Sequence, residues 1–345
     1  MSVSLEGVTK HFAGNAVVHD ITAEIGDGEF FVILGPSGCG KSTLLRLIAG
    51  LDHLDGGQIG IGGAVLSSPE RHVAPEKRSV GLIFQSYALW PHMTVRENVA
   101  FPAESAGATR ARARQIADDS LAVVDLLPLA DRAPADLSGG QRQRVALARC
   151  LAGGAGTVLM DEPLANLDPH LRDRMEGEIR SFHRKSGTTT LYITHDQREA
   201  MSLADRIAVM WDGAFLQVAT PREIHDRPAS EQVARFIGRA AVVTGQVTAG
   251  VATIGPMRVP VPDAPDGPAR VVLRPGNIRL GDGVSAQLTS VCYRGGLWEA
   301  SAHVAGVEEA LPIASPTPLQ DGQVIQLTAT HGWALPGQDL SRARG

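Results

Sequence analysis

The sequence has few cysteines and no long apolar run. Its three cysteines, Cys39, Cys150 and Cys292, are too far apart to form a CxxC metal or redox pair. So low and odd a count is typical of a reducing compartment. No stretch reaches the roughly 18 apolar residues of a membrane-spanning helix, and the first residues lack the basic and apolar segments of a signal peptide. We therefore expect a soluble protein whose role at a membrane would depend on a partner.

An excess of basic residues is also absent. The 32 Lys and Arg are outnumbered by 37 Asp and Glu, which gives a formal net charge of −5. Domains that bind nucleic acid usually carry a basic patch, so we expect no nucleic-acid partner. The apolar share of 43% suffices for a substantial core, and the length of 345 residues predicts two or three domains.

Short apolar runs alternate with helix-like segments in the first two thirds of the chain. The predicted strands are Phe30–Leu34, Val80–Phe84, Thr157–Met160 and Thr190–Thr194. The predicted helices include Lys41–Ala49 and Thr109–Val124. Strands that alternate with helices indicate an α/β fold, with a mainly parallel sheet covered on both faces.

The pattern changes between Pro228 and Ala241. Beyond this point helix patterns largely disappear, and short β-branched runs punctuated by Gly and Pro take their place. These runs lie at 241–247, 269–274, 277–280, 287–293 and 324–327. They predict a small all-β barrel or sandwich. We place the boundary between residues 238 and 239, which divides the chain into an α/β domain, 1–238, and a β domain, 239–345.

A glycine-rich segment follows the first predicted strand and opens the first predicted helix. It matches the phosphate-loop pattern GxxxxGK[ST] with Gly35, Pro36, Ser37, Gly38, Cys39, Gly40, Lys41, Ser42 and Thr43. The backbone N–H groups of such a loop and the positive end of the helix dipole favour phosphate. We expect Lys41 to reach the β- and γ-phosphates and Ser42 to ligate magnesium. The loop predicts a nucleoside triphosphate, with ATP and Mg²⁺ as the expected pair, but kinases, GTPases, helicases and motors all carry such a loop.

A later apolar strand ends in two carboxylates, Asp161 and Glu162. Asp161 is placed to hold magnesium, and Glu162 is placed to orient or deprotonate an attacking water. A hydrolase benefits from such a base, whereas a kinase does not require one here. The pair therefore favours hydrolysis.

The segment Leu137-Ser138-Gly139-Gly140-Gln141 combines a helix cap with two glycines. Ser138 can cap the following helix, and the glycines permit the close approach of a phosphate that the helix dipole favours. Together with Arg142-Gln143-Arg144, this segment is identified as the signature motif of ABC ATPases. The chain therefore resembles the ATP-binding subunits of ABC transporters.

The resemblance implies roles for four more residues. It implies that Phe12 stacks on adenine, that Gln85 touches magnesium and the attacking water, and that His195 contacts the γ-phosphate. In the segment that resembles the D-loop, Asp168 would help to join two subunits. Ala165 stands there where the family often has serine, which removes a possible hydrogen bond across the interface.

The resemblance also implies an assembly. In this family the signature, here Ser138, Gly139, Gly140 and Gln141, completes the ATP site of the opposite subunit. Two nucleotide-binding domains would therefore close head to tail around two ATP molecules. Because this chain has one such domain, the resemblance implies a homodimer or a pair with a similar chain.

Three kinds of ABC protein fit these motifs: an importer subunit, an exporter subunit and a non-transport ATPase that acts on ribosomes or DNA. The interval between Lys41 and Ser138 is short and lacks the heptads of the DNA-repair type, and the ribosomal type usually has two such domains. The segment Phe84–Val95 is similar to importers of sugars, polyamines, ferric iron and sulfate. There it borders the groove for a coupling helix of the membrane subunit, which favours an importer.

Two segments of the β domain resemble the TOBE domain of those importers: Leu273–Leu280, with Gly276 in place of the usual glutamate, and Tyr293–Glu299. The implied fold is an α/β P-loop NTPase (ABC ATPase) domain with a helical subdomain at about 88–152, followed by a small all-β TOBE (OB-like) domain. The implied partners are a second ATPase subunit, two transmembrane permease subunits and a periplasmic or lipid-anchored solute-binding protein. The chain would lie at the cytoplasmic face of the inner membrane.

The resemblance leaves the solute open among several classes. The short C-terminal domain and the hairpin at Tyr293 favour ferric iron, a polyamine or a phosphonate-like solute. A sugar or sulfate importer is the alternative, and a non-transport ABC ATPase is the least favoured.

Overall fold

The computed structural model describes residues 1–83, 87–165 and 169–336, with the side chains of all of these except 169–171. The chain forms two compact units, one from Met1 to Pro221 and one from Arg222 onward. Within the described ranges, no helix is both long enough and apolar enough to cross a membrane.

The first unit contains eleven strands and six α-helices within the described residues. In chain order they are β1 (Val3–Phe12), β2 (Asn15–Ile25), β3 (Phe30–Leu34), α1 (Lys41–Ala49), β4 (Gly56–Ile61), β5 (Ala64–Ser68), β6 (Arg71–His72), β7 (Val80–Ile83), α2 (Val95–Ser105), α3 (Arg110–Val123), α4 (Gly139–Ala152), β8 (Thr157–Asp161), α5 (Pro169–Ser186), β9 (Thr189–Thr194), α6 (Gln197–Leu203), β10 (Arg206–Trp211) and β11 (Ala214–Ala219).

These strands form two sheets. One is antiparallel, with the order β2-β1-β4-β5-β6, and the other has the order β11-β10-β3-β9-β8-β7. In the second sheet every neighbouring pair is parallel except the edge pair of β10 and β11. Parallel neighbours need crossover connections, and the helices between these strands supply them. The predicted α/β sheet is confirmed.

The central strands are apolar along their whole length because both of their faces are covered. All five residues of β3 and all six of β9 are buried. On one face, Phe31 and Ile33 share a core cluster with Leu44, Leu47 and Ile48 of α1. Burying one such side chain contributes roughly 1.5–3 kcal/mol. This packing holds the start of α1 beside the end of β3, and so places the loop between them.

The predicted strands correspond to β3, β7, β8 and β9, and the predicted helices to α1 and α3. The bounds of β3 and α1 are as predicted, and no end of the others differs by more than one residue. The strand predicted at Val80–Phe84 ends at Ile83, and Phe84 lies outside the described residues.

The second unit is rich in β structure and begins with short helices. In chain order its elements are α7 (Pro221–Asp226), α8 (Glu231–Phe236), β12 (Ala241–Thr248), β13 (Val251–Ile254), β14 (Met257–Pro260), β15 (Gly267–Leu273), β16 (Ile278–Tyr293), β17 (Trp298–Val304), β18 (Leu311–Ser315), β19 (Val324–Ala329) and β20 (Trp333–Ala334). The first residue of α7, Pro221, is the last residue of the first unit. They form two antiparallel sheets, ordered β14-β13-β12-β15-β20 and β18-β17-β16-β19.

Both sheets of this unit contribute to one apolar cluster. It contains Val243 and Val271 from the first sheet together with Leu288, Ala300 and Ile313 from the second. Strand β12 alternates buried and exposed residues from Val243 to its end, as expected of a strand with one covered face. The predicted all-β character is confirmed. Because α8 lies within this unit, the compact division falls earlier in the chain than residue 238, and the predicted domain boundary stays a prediction.

Candidate functional site

The glycine-rich loop joins β3 to α1 and packs tightly against the rest of the first unit. Gly40 caps α1 with φ at +102°, a conformation that favours glycine. A Cβ atom at Gly40 would lie 2.4 Å from the carbonyl oxygen of Val17, and one at Gly35 would lie 2.2 Å from that of Met210. Both positions therefore exclude larger residues for steric reasons.

Lys41 folds back over this loop. Its Nζ donates to the carbonyl oxygens of Gly35, at 2.9 Å, and Pro36, at 2.8 Å. The side chain is buried, with 5% of its surface exposed. Within the described residues, no side chain caps α1. The free N–H groups of its first turn and the Lys41 ammonium therefore form a positively charged end that suits an anion.

Ser42 and Asp161 meet beside this loop. The Ser42 hydroxyl, on the first turn of α1, donates to Oδ1 of Asp161, the last residue of β8, at 2.9 Å. Burial raises the pKa of Asp161, although the hydrogen bond from Ser42 opposes the shift. Hydroxyl and carboxylate oxygens are ligands that Mg²⁺ accepts. The donor atoms of this pair therefore fit the predicted magnesium site.

Glu162 and His195 lie at the ends of the neighbouring strands β8 and β9. Oε2 of Glu162 is 3.1 Å from Nδ1 of His195. The backbone of Glu162 has φ at +44°, a left-handed conformation that is uncommon for a residue other than glycine. The N–H of Glu162 donates to the carbonyl oxygen of Ile193 at 3.1 Å and so holds this conformation. The side chains are 26% and 51% exposed, so a solvent molecule can reach both.

The signature segment forms the start of α4. Ser138 caps the helix: the Gln141 N–H donates to its Oγ at 3.3 Å, and the Ser138 N–H donates to Oε1 of Gln141 at 2.9 Å. The predicted cap is confirmed. Among the hydrogen bonds of the described residues, none joins Ser138, Gly139, Gly140 or Gln141 to the loop at 35–43 of the same chain.

Phe12 ends β1 at a hairpin tip. The residue is 47% exposed, and the Lys10 ammonium lies 5.3 Å from its ring centroid. Phe12 is therefore not a core residue, and its ring is available for stacking. Two further predicted site residues, Gln85 and Asp168, lie outside the described residues.

The segment predicted to face a membrane subunit is held in place by two residues behind it. Asn98, fully buried, accepts from the Trp90 N–H at 2.8 Å and donates to the carbonyl oxygens of Trp90, Met93 and Thr94. Arg149 donates to the carbonyl oxygens of Tyr87 and Ala88, and its guanidinium lies 5.1 Å from the centroid of the Trp90 ring. Trp90 and Met93 remain partly exposed.

Two buried charged residues of the first unit were not predicted. Arg78 binds the carboxyl end of α1, through the carbonyl oxygens of Leu47 and Ile48, and Glu199 lies on α6 just after His195; they are 4% and 3% exposed. The only sequence signal for Glu199 is its place four residues after His195, and Arg78 stands among other polar residues with no distinguishing pattern.

Comparison with known proteins agrees with this geometry. Residues 18–165 match the family model described as ABC transporter. Over 80% of its length the chain is 47% identical to the sn-glycerol-3-phosphate import ATP-binding protein UgpC of Paracoccus denitrificans, and it covers 78% of that protein. Over 70% of its length it is 47% identical to the trehalose import ATP-binding protein SugC of Mycobacterium tuberculosis, 60% of which is covered.

A solved structure also resembles the chain. It is the dimeric, post-hydrolysis state of the ATP-binding cassette MJ0796 bound to ADP and Pi. The TM-score is 0.54 and the identity 30%, and the match covers 64% of this chain and 99% of the other.

The site and the fold together define an ABC-type ATPase. More narrowly, the chain belongs to the ABC transporter family, as an ATP-binding subunit of the importer type. The predicted P-loop fold class and the predicted enzyme class are thereby confirmed. The all-β part of the second unit is consistent with the predicted TOBE-like domain.

Proposed function

We propose that the chain hydrolyses ATP to power the uptake of a sugar or a small polyol phosphate. Its relatives are named for the import of sn-glycerol-3-phosphate and trehalose. These names support the sugar alternative over ferric iron, a polyamine or a phosphonate-like solute, which the hairpin at Tyr293 favoured. The hairpin is a weak guide because the transported solute does not meet the ATPase subunit.

The phosphate loop is proposed to bind the triphosphate of ATP. Lys41 would exchange the carbonyl oxygens of Gly35 and Pro36 for phosphate oxygens, and the free N–H groups of α1 would bind the same anion. Ser42 and Asp161 would hold Mg²⁺, with Gln85 as a further ligand from the sequence motif. When bound, Mg²⁺ neutralises negative charge on the phosphate oxygens.

Glu162 is proposed to accept the proton of the attacking water. The 3.1 Å contact between Glu162 and His195 is the observation that carries this proposal, because it brings together two residues that the motifs assign to one reaction. The two adjacent carboxylates contact different partners, Asp161 the Ser42 hydroxyl and Glu162 the His195 ring. Asp161 would therefore serve the metal and Glu162 the water. His195, the second residue of the pair with Glu162, would contact the γ-phosphate.

The working unit is proposed to be two copies closed head to tail. Ser138 makes no hydrogen bond to the phosphate loop of its own chain in the described ranges, and its capped helix end is suited to an anion. The signature residues Ser138, Gly139, Gly140 and Gln141 of one copy would therefore complete the site of the other, with Asp168 at the contact. The related MJ0796 cassette is a dimer bound to ADP and Pi.

The remaining partners are proposed from the family. Two permease subunits would each place a coupling helix in the groove that the segment around Trp90 borders, at the edge of a helical subdomain of about 88–152, and a solute-binding protein would deliver the solute. The chain would then lie at the cytoplasmic face of the inner membrane. Residues 1–238 would form the ATPase domain and 239–345 the TOBE-type domain.

The Glu162→Gln variant tests the catalytic proposal. The amide cannot accept a proton, so hydrolysis should fall about a hundredfold or more, while ATP should hold the variant as a dimer in size-exclusion chromatography with light scattering. The matched control is Glu104→Gln, an exposed carboxylate on α2. Full hydrolysis by Glu162→Gln would overturn the assignment of the base.

Uptake measurements test the solute. Cells that lack the chain should lose uptake of labelled sn-glycerol-3-phosphate or trehalose and regain it with the wild-type chain, but not with Glu162→Gln. Loss of ferric iron or polyamine uptake alone would contradict the proposed solute class and leave the ATPase proposal intact.

A further inference from the structure

A buried carboxylate lies behind the turn that carries His195. Glu199, on α6, is 3% exposed. Its Oε2 accepts from the Tyr192 hydroxyl at 2.8 Å and from the Thr194 hydroxyl at 2.7 Å. Both donors are on β9, the strand that His195 follows. Burial raises the pKa of Glu199, whereas the two hydroxyl donors oppose this shift. Two short hydrogen bonds to one oxygen leave the carboxylate little freedom to move.

Thr194 links the buried Glu199 carboxylate to the backbone of Asp196, the residue after His195. Its Oγ1 accepts from the N–H of Asp196 at 2.9 Å. The Asp196 side chain in turn caps α6 by accepting from the Arg198 N–H at 2.8 Å. Residues on both sides of His195 are therefore tied to one buried cluster.

Arg172 brings a second helix into the cluster. Its Nη1 donates to Oδ2 of Asp196 at 2.9 Å, and its Nε is 3.7 Å from Oε1 of Glu199. Arg172 lies in the first turn of α5, which begins at Pro169, directly after Asp168. A guanidinium suits this place because it can face two carboxylates at once.

We propose that Glu199 and Arg172 are positioning residues for His195. They act through Thr194 and Asp196, which fix the backbone of the His195 turn, and so set the place of the imidazole beside Glu162. Misplacement of a reacting group by about 1 Å can lower a rate about a hundredfold, so loss of this cluster should reduce catalysis more than substrate binding. The inference rests on the proposed role of His195.

The test uses the isosteric variants Glu199→Gln and Thr194→Val in the full chain, with histidine labelled for NMR. The His195 ring signal is assigned from its loss in His195→Ala. We expect both variants to shift this signal and to lower kcat about tenfold, with the KM for ATP changed less than about twofold. The matched control is Glu176→Gln, because Glu176 also joins α5 to α6, through the Ser202 hydroxyl at 2.9 Å, but makes no hydrogen bond to Thr194, Asp196 or Glu199 among those of the described residues. Glu176→Gln should change neither the His195 ring signal nor kcat.

An unmoved His195 signal in both variants would overturn the inference, even if kcat fell, because the loss would then have another cause. An equal shift in Glu176→Gln would also overturn it, since any link between the two helices would then suffice. If His195→Ala retains full ATPase activity, the proposed role of His195 fails instead, and the ring signal still reports whether Glu199 positions it.

Discussion

Ser42 donates its hydroxyl hydrogen to Asp161 across 2.9 Å and so joins the first turn of α1 to the end of β8. If the two oxygens hold Mg²⁺, Asp161→Asn should lower Mg²⁺-dependent ATP hydrolysis about a hundredfold, since an amide lacks the anionic charge. Hydrolysis measured against Mg²⁺ concentration checks this. The control is Asp52→Asn, which should leave hydrolysis unchanged; Asp52 is a partly exposed carboxylate that accepts from Arg46 of α1.

Asp161→Asn should lower activity without lowering the stability of the folded chain. Burial raises the pKa of Asp161, so the folded chain disfavours the charged carboxylate at neutral pH. This free-energy cost of folding is present above the pKa of Asp161 in the folded chain. It disappears as the pH falls below the ordinary pKa of an aspartate. Asp161→Asn should therefore melt no lower than the wild type near neutral pH. A large drop in melting temperature would contradict the prediction.

Arg78 should stabilise the first unit at the carboxyl end of α1. It donates to the carbonyl oxygens of Leu47 and Ile48 at the end of α1, and also to Val73 and Ser67. Its charge is thus matched to the negative end of the helix dipole. Arg78→Met should leave these acceptors unpaired and lower the free energy of unfolding by about 2–4 kcal/mol.

Scanning calorimetry of the full chain checks this effect, because the transition of the first unit should fall by roughly 5–10 °C. The matched control is Arg46→Met, which should change the transition little. Arg46 is a half-exposed arginine on α1, the helix whose end Arg78 binds. An unchanged transition in Arg78→Met would show that the buried guanidinium contributes no net stability.

The three cysteines should differ sharply in reactivity. Burial raises the pKa of Cys150 to about 12 and also raises that of Cys39, whereas Cys292 is exposed. The thiolate is the reactive form, and for Cys150 it is about one part in ten thousand at about pH 8. Titration with a disulfide reagent should find one prompt thiol in the folded chain and three in denaturant. Cys292→Ser should remove the prompt reaction, and a second prompt thiol would contradict the burial of Cys39 or Cys150.

Glu309 should make the second unit sensitive to acid. Arg235 donates to both of its carboxylate oxygens, at 2.7 and 2.8 Å, and the Val242 N–H donates to one of them at 3.1 Å. These contacts, the arginine first, lower the pKa of Glu309 from its ordinary value of 4.5. The stabilisation is therefore present above that ordinary value and is lost as the pH falls through the lower folded value.

Glu309→Gln should lower the stability of the second unit by about 1–2 kcal/mol near neutral pH. The difference from the wild type should narrow as the pH falls below 4.5, because Glu309 becomes protonated first in the unfolded chain and at lower pH in the folded chain. Melting curves across this range measure both, with the exposed Asp282→Asn as control. A difference that does not change with pH would show that charge plays no part.

The features that the sequence predicted are those with a local pattern. The phosphate loop, the apolar strands around it and the Ser138 cap each depend on residues a few positions apart. The predicted roles of Ser42 and Asp161 also followed from motifs, but their contact joins residues far apart in the chain, and only the fold shows it.

Other features carry no local pattern. Glu199 and Arg78 are charged residues in polar surroundings of the sequence, and their roles depend on burial that arises only after folding. Arg172 is half-buried, and its contacts with Asp196 and Glu199 likewise arise only after folding. The helix α8 precedes the predicted boundary at residue 238, yet it belongs to the second unit. The names of the relatives support the sugar alternative over ferric iron, a polyamine or a phosphonate-like solute. No motif in the sequence distinguished these solutes.

The bonds from Lys41 to Gly35 and Pro36 have a consequence for selectivity among anions. The two carbonyl oxygens act as intramolecular competitors, since any phosphate must replace them at the ammonium. A singly charged anion gains little by this exchange, whereas the several negative charges of a triphosphate gain more. The loop can thus favour a triphosphate over singly charged anions by charge alone. This selection does not require any contact with the base of the nucleotide.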